Sequence, residues 1–167
     1  SAFLRDALFN TLVEGKMDID YNAYQPSVVF LNGNYWGMLD TREKIDEHFI
    51  MSNYNLSENQ FDMLENWGDI MMGTSDNYNN FINFVSTNDL SNPTNYENVK
   101  SIMDVNEYIN YMVTQIYIGN TDWPGNNIKY WRSKLGGGKW RWILTDLDFG
   151  FGVYDPNINH NTLQFAL

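Results

Sequence analysis

Two β-rich segments on either side of a glycine turn constrain the fold of this chain more than any other feature. The segments run from Ile128 to Arg132 and from Trp140 to Thr145, and Gly136-Gly137-Gly138 separates them. Short runs of aromatic and β-branched residues that flank a glycine turn are typical of a β-hairpin. An antiparallel hairpin folded about Gly136 pairs residues whose numbers sum to about 272, which places Asn127 opposite Thr145.

Polar side chains gather at the open end of this predicted hairpin, where Asn127 stands beside Asp146 and Asp148. Cross-strand neighbours lie roughly 5 Å apart at Cβ, so these side chains can share one hard cation through oxygen atoms. The two carboxylates point to the same side if the strand continues through them, and their like charges then need a cation or hydrogen bonds. The alternative is that one carboxylate caps the following loop and the other is solvated.

A second hairpin is predicted earlier in the chain. Val28 to Leu31 form an apolar run, Asn32-Gly33 supply a two-residue turn, and Tyr35 to Leu39 continue as the second strand. A helix from Arg42 to Met51 is then expected, because its apolar residues recur at helical spacing.

Four further segments complete the predicted architecture. The capping-box spacing at Ser57 predicts a helix through Trp67, and a weaker helix covers Asn79 to Val85. The polar segment from Ser86 to Lys100 is predicted to be a surface loop. The clearest helix runs from its cap Asp104 to Gly119, with apolar residues at positions i, i+3, i+4 and i+7. These elements predict an α+β fold in a single domain over residues 1–167, with β-hairpins packed against several α-helices.

The charge and composition exclude several classes of function. Twenty-one acidic side chains against ten basic ones give a formal net charge of -11, which repels a phosphate backbone, so we expect no nucleic-acid partner. The chain has no cysteine, which excludes a disulfide framework, thiolate metal ligands and a cysteine nucleophile. No apolar run approaches the roughly 20 residues that span a bilayer, so we expect no membrane insertion within this segment.

The loop before the Gly136 hairpin presents another carboxylate. Asp122 precedes Trp123-Pro124-Gly125, and the proline biases the residue before it away from helix. Asp122 is followed five residues later by Asn127, and then by Asp148-Phe149-Gly150. Protein kinases carry their catalytic Asp, a metal-binding Asn and the metal-binding Asp of D-F-G in this order. Asn120-Thr121 stand where protein kinases usually have His-Arg.

Three segments of the chain resemble blocks of the CotH kinases, a family of atypical protein kinases named for a spore-coat protein. The segments are VVFLNGNYWGMLDTREKIDEHFI, NTDWPGNNIKYWR and KWRWILTDLDFGFG, which follow the family's order between positions 28 and 152. The resemblance implies an atypical protein-kinase-like core, binding of ATP with Mg²⁺ or Mn²⁺, and phosphorylation of Ser or Thr hydroxyls on a protein substrate.

The resemblance also implies roles for individual residues. Asp122 is similar to the catalytic Asp that orients the acceptor hydroxyl, and Asn127 and Asp148 are similar to metal ligands. Asp146 belongs to the same D-x-D element, and either carboxylate of that element can be the main ligand.

Cofactor-binding residues are harder to place by the resemblance. Glu43, in T-R-E-K, is a candidate partner of a phosphate-contacting base, and Arg42 beside it is a candidate contact of ATP, with a solvated surface role as its alternative. The glycine- and serine-containing turn and Lys-rich strand of the family have no match before Ser27. We therefore expect a fragment that lacks the upstream nucleotide-binding segment and the C-terminal remainder, in which activity can be lost.

A different class of function fits the same residues. Six tryptophans can line a sugar-binding face, although aromatic residues more often pack a core. The alternative is a non-catalytic cell-surface module that binds carbohydrate or protein and carries an Asp/Asn metal site. The composition and the resemblance both favour a secreted or cell-surface bacterial protein, and the sequence leaves the oligomeric state open.

Overall fold

The computed structural model describes residues 5–152 and 159–166. In chain order its helices and strands are α1 (Arg5–Val13), β1 (Asp20–Tyr21), β2 (Tyr24–Leu31), β3 (Asn34–Arg42), α2 (Glu47–Tyr54), β4 (Phe61–Glu65), β5 (Asp69–Met72), α3 (Asp76–Thr87), α4 (Pro93–Ile102), α5 (Val105–Ile118), β6 (Lys129–Ser133), β7 (Arg141–Leu144) and α6 (Thr162–Phe165). Five strands form a mixed sheet in the order β1-β7-β6-β4-β5, and β2 pairs with β3 in a separate two-stranded sheet. This mixed architecture of hairpins and helices confirms the predicted fold class.

The β6–β7 hairpin has the predicted register. Its three pairs each sum to 272, namely Lys129 with Ile143, Tyr130 with Trp142, and Trp131 with Arg141. The strands end before Asn127 and Thr145, which therefore lie just beyond the last paired residues. On its outer edges the hairpin pairs with β4 in antiparallel and with β1 in parallel orientation.

The β2–β3 hairpin is also confirmed, and its turn residues Asn32 and Gly33 both have positive φ. The two strands are longer than predicted, since the last pair joins Tyr24 to Arg42. Large apolar side chains of this ribbon, including Trp36, are exposed.

The prediction of a helix from Arg42 is wrong, because pairing with β2 keeps the chain extended as far as Arg42. The helix α2 begins at Glu47 instead. Asp46 caps it by accepting a hydrogen bond at Oδ1 from the backbone N–H of His48, at 2.9 Å.

The predicted helix from Ser57 to Trp67 is also wrong. The capping box is present, with the side chain of Gln60 accepting a hydrogen bond from the N–H of Ser57 at 2.9 Å. It supports only one 3₁₀ turn, Glu58–Gln60, because β4 then pairs with strands on both sides. Tertiary pairing therefore overrides a correct local signal.

The prediction of a surface loop from Ser86 to Lys100 is wrong, because this segment contains the end of α3 and most of α4. Pro93 occupies the first turn of this helix, and Asn92 caps it by accepting a hydrogen bond from the N–H of Thr94 at 2.9 Å. Asn92-Pro93 begins a helix here. Proline has no N–H, but the N–H groups of the first helical turn have no partner within the helix, so its absence there costs no hydrogen bond. The preceding helix, α3, is longer than the predicted Asn79 to Val85.

The central helix α5 agrees with the prediction from Asp104 to Gly119. Asp104 accepts a hydrogen bond at Oδ1 from the N–H of Glu107, and Gly119 ends the helix in the left-handed conformation. Along the sheet, successive buried residues alternate between two cores. One core includes Tyr111 of α5, and the other includes Ile50 of α2, so helices cover both faces of β4, β6 and β7.

Candidate active site

Buried amide side chains fix the backbone of Asp122 in the loop after α5. Asn120 and Gln115 are fully buried, and Asn120 Nδ2 donates a hydrogen bond to Gln115 Oε1 at 2.9 Å. The N–H of Asp122 in turn donates to Asn120 Oδ1 at 3.2 Å. The chain Gln115–Asn120–Asp122 therefore connects the rigid helix to the backbone of the predicted catalytic residue. Trp123 anchors the other side, because it is buried and packs edge-on against Tyr111.

The side chain of Asp122 accepts hydrogen bonds from two neighbouring amides. Asn127 Nδ2 donates to Asp122 Oδ2 at 2.7 Å, and Asn126 Nδ2 donates to the same oxygen at 3.3 Å. Asn127 reaches this position with a positive φ of 58°, a conformation that asparagine tolerates better than most residues. Among the described residues, these bonds leave Asp122 Oδ1 available to a substrate, and they leave the amide oxygen of Asn127 available to a cation.

The D-x-D element contributes two carboxyl groups that contact each other. The prediction that a continuing strand carries both carboxylates is wrong, because β7 ends at Leu144 and Asp146 has a positive φ of 52°. A tight turn around the buried Leu147, rather than a continuing strand, brings Asp146 and Asp148 together. Burial, then the charge of Asp148 and a hydrogen bond with it, raise the pKa of Asp146 above its ordinary value.

The negative charges of Asp6 and Asp122 also raise the pKa of Asp146. Three carboxyl groups, from α1, the loop after α5 and the D-x-D turn, therefore act on Asp146. Such a concentration of like charge is unfavourable unless protons or cations neutralise it.

Asp6 is a residue of this region that the sequence analysis missed. It is only 2% exposed, and its Oδ1 accepts a hydrogen bond from the N–H of Leu147 at 2.7 Å. Its Oδ2 accepts one from Arg42 Nη1 at 2.6 Å. No motif marks Asp6, and 141 residues separate it from Leu147, so the contact depends on the tertiary fold.

The two predicted cofactor-binding residues diverge in the structure. Arg42 lies behind the D-x-D turn, to which Asp6 connects it, and it also pairs with Asp40 at 3.6 Å. Glu43 instead accepts a hydrogen bond from Asn53 Nδ2 at 2.7 Å and lines a separate pocket beside Tyr54. No described hydrogen bond or ion pair connects Glu43 to Asp122.

A pocket of about 320 Å³ opens at the end of the β6–β7 hairpin. Asn127 and Asp146, which the hairpin register places near each other, both line this pocket. The complete lining is Glu65, Asn66, Asn126, Asn127, Ile128, Lys129, Thr145 and Asp146. The lining residues thus include ones with carboxylate, amide, hydroxyl and ammonium side chains.

The side chains in this region fit a hard divalent cation. Among residues 5–152 and 159–166, no three His, Cys, Asp or Glu side chains form a metal-binding group by themselves. Mg²⁺, however, usually takes one or two protein carboxylates together with phosphate oxygens and waters. Asp146, Asp148 and the amide oxygen of Asn127 can provide such a partial set of oxygen ligands, because Asn127 and Asp146 line one pocket and Asp148 contacts Asp146.

The family model described as CotH kinase protein matches residues 1–166. The chain belongs to the CotH kinase family. Membership makes it a kinase-like protein, and kinase-like families in general use ATP with a divalent metal ion. No curated protein matches the chain significantly. The family match covers the chain as a whole and assigns no role to a particular residue, so the roles of Asp122, Asn127, Asp146 and Asp148 stay predictions.

His48 is exposed on α2 and lies outside the pocket at the end of the β6–β7 hairpin. Four of the six tryptophans are packed in the two cores, where no ligand can reach their faces from solvent. No described helix is both long and apolar enough to cross a bilayer.

Proposed function

We propose that this CotH-family protein transfers the γ-phosphoryl group of ATP to Ser or Thr hydroxyls of a protein substrate, with a divalent metal ion. The observation that supports this most is the 2.7 Å contact between Asp122 and Asn127 beside the paired carboxyl groups of Asp146 and Asp148. The order of these residues along the chain is that of protein-kinase catalytic parts.

Asp122 acts as the base that orients the acceptor hydroxyl. Its Oδ2 is held by two amides, and Oδ1 accepts the hydrogen bond of the incoming Ser or Thr. The hydroxyl oxygen forms a new bond to the γ-phosphorus, the bond from that phosphorus to the β–γ bridging oxygen breaks, and ADP leaves. The proton of the hydroxyl passes to Asp122.

Asn127, Asp146 and Asp148 would hold the divalent ion, which supplies positive charge to the phosphate groups when it is bound. The buried chain through Asn120 and Gln115 keeps Asp122 in position relative to them. Positioning matters in this reaction, because phosphoryl transfer requires little covalent chemistry from the protein.

Labelled ATP tests this proposal directly. With Mg²⁺ or Mn²⁺, the intact protein should label itself or a Ser-rich protein, and Asp122→Asn should lower that rate by about a hundredfold or more, since it removes the base but keeps the shape. Asp69→Asn, an exposed substitution on β5, is the matched control and should keep the wild-type rate. Equal labelling by wild type and Asp122→Asn, with equal melting temperatures, would contradict the proposal.

The second candidate is a non-catalytic module that binds carbohydrate or protein at the cell surface. Exposed Trp36 and Trp67 favour it, being 68% and 82% exposed, whereas the burial of the other four tryptophans reduces the aromatic surface left for a sugar. Quenching of tryptophan fluorescence by oligosaccharides, without any response to ATP and metal, would support this candidate in place of the kinase.

A further inference from the structure

Lys129 is the one basic residue among the described residues that line the pocket at the end of the β6–β7 hairpin. Its neighbours in the wall include Asn127 and Asp146, which the proposed function assigns to the metal, and the carboxylate of Glu65. An anionic ligand that entered this pocket would therefore meet a net negative wall, unless the cation and Lys129 both faced it.

The backbone of Lys129 is fixed by strand pairing, whereas its ammonium group makes one close hydrogen bond among the described contacts. Lys129 is the first residue of β6 and is paired with strands on both sides. The side chain is 23% exposed. Its Nζ donates a hydrogen bond to the carbonyl oxygen of Ile45 at 2.8 Å, and the carboxylate of Glu65 lies at 3.8 Å. An ammonium group has three donors, so the described contacts leave Lys129 with donor capacity beyond its one close hydrogen bond.

Other basic side chains in this part of the molecule are bound elsewhere. Arg42 is paired with Asp6 at 2.6 Å, and Lys44 is paired with Asp46 at 3.0 Å with its side chain 86% exposed. Arg5 Nη1 donates a hydrogen bond to the carbonyl oxygen of Gly150 at 2.7 Å, beside the D-x-D turn, but Arg5 does not line the pocket. Lys129 is the basic residue that does.

We propose that Lys129 binds a phosphate group of the nucleotide in this pocket. This rests on the proposed function, because the ligand is the metal-bound nucleotide of that reaction. A phosphoryl oxygen accepts a charge-assisted hydrogen bond from Nζ, and Glu65 competes with the phosphate for the ammonium group. The competing explanation is that Lys129 only joins β6 to the segment before α2 through the carbonyl of Ile45.

Equilibrium binding of Mg²⁺–ATP and of adenosine, measured by calorimetry, separates these explanations. Lys129→Met should weaken Mg²⁺–ATP binding by about tenfold or more and leave adenosine binding unchanged, since adenosine has no phosphate. Lys129→Arg should restore part of the loss. Lys100→Met is the control, because Lys100 forms a surface pair with Glu97 on α4, and it should bind both ligands normally.

Glu65→Gln provides a second variant, made both alone and in the Lys129→Met background. Removal of the competing carboxylate should tighten Mg²⁺–ATP binding more when Lys129 is present than in the Lys129→Met background, because part of the gain comes from the released ammonium group. A purely structural Lys129 would leave the gain the same in both backgrounds, since Glu65 itself lines the pocket. Unchanged ATP affinity in both Lys129→Met and Glu65→Gln would overturn the inference.

The proposed function fails separately from this inference. If the wild type binds Mg²⁺–ATP and Asp122→Asn labels a protein as fast as the wild type does, the kinase assignment is wrong, whereas the effect of Lys129→Met on affinity is still decisive for Lys129. A wild type that binds no nucleotide at all overturns both.

Discussion

Asp6 shows how one buried carboxylate can position the D-x-D turn from a distant part of the chain. It bonds the backbone of Leu147, between the two acidic residues of the D-x-D element, and it pairs with Arg42. The sequence predicts roles for Asp122, Asn127, Asp146 and Asp148 because those residues stand at recognisable spacings. It could not identify Asp6, whose position in α1 has no motif and whose partners are 36 and 141 residues away.

The Asp6 contacts predict a loss of stability on substitution. Asp6→Ala should lower the free energy of unfolding by about 2 to 3 kcal/mol, because it leaves the N–H of Leu147 and part of the charge of Arg42 without a partner. Asp6→Asn keeps an acceptor for the N–H and should lose less. Urea denaturation measures both values, and equal stability of Asp6→Ala and the wild type would contradict this role.

Helices and strands whose formation depends on nearby residues were predicted from the sequence. The β6–β7 hairpin and α5 were predictable, because a glycine turn fixes the register of the first and a cap with helical periodicity marks the second. The strand β4 was not predictable in the same way, since its partners β5 and β6 come later in the chain. The capping box before β4 is a true local feature that long-range pairing limits to a single turn.

A pair of glycines tests the packing of β4. Gly73 has a φ of 77°, and a Cβ there would collide with the backbone oxygen of Phe61 and with the buried carboxylate of Asp62. Asp62 pairs with Arg132 and Lys134, so it cannot move freely.

Gly73→Ala should therefore lower the free energy of unfolding by more than the roughly 1 kcal/mol expected from the positive φ alone. Gly33→Ala is the control, because Gly33 has a similar φ of 82° and no atom within 4 Å of the added Cβ. Thermal denaturation gives the comparison, and an equal loss in the two variants would show that the Asp62 environment has no such constraint.

For the whole molecule, the buried acid Glu107 makes stability depend on pH. Its side chain is fully buried on α5, and its Oε2 accepts a hydrogen bond from the N–H of Trp142 at 3.1 Å. Burial raises its pKa from 4.5 to about 8, whereas the bond from Trp142 and the charge of Arg141 oppose the increase. Neither the helical pattern nor the charge count of the sequence reveals that this acid is buried.

The raised pKa of Glu107 predicts a pH window for unfolding. The folded state holds the proton to about pH 8, whereas the unfolded state releases it near pH 4.5. This contribution to stability is therefore complete below about pH 4.5 and is lost as the pH rises to 8. Glu107→Gln should flatten the decline of the unfolding free energy across that window, as urea titrations at several pH values would show. An unchanged slope would contradict a protonated Glu107.

Binding of Mn²⁺ in the presence of an ATP analogue, followed by electron paramagnetic resonance, tests most directly whether side chains from two stretches of the chain form one metal site. We expect the wild type and Asp69→Asn to bind the ion equally. Asn127→Ala and Asp148→Asn should each weaken binding by about tenfold or more while the fold is retained. Wild-type affinity for Mn²⁺ in both of these variants would contradict the account.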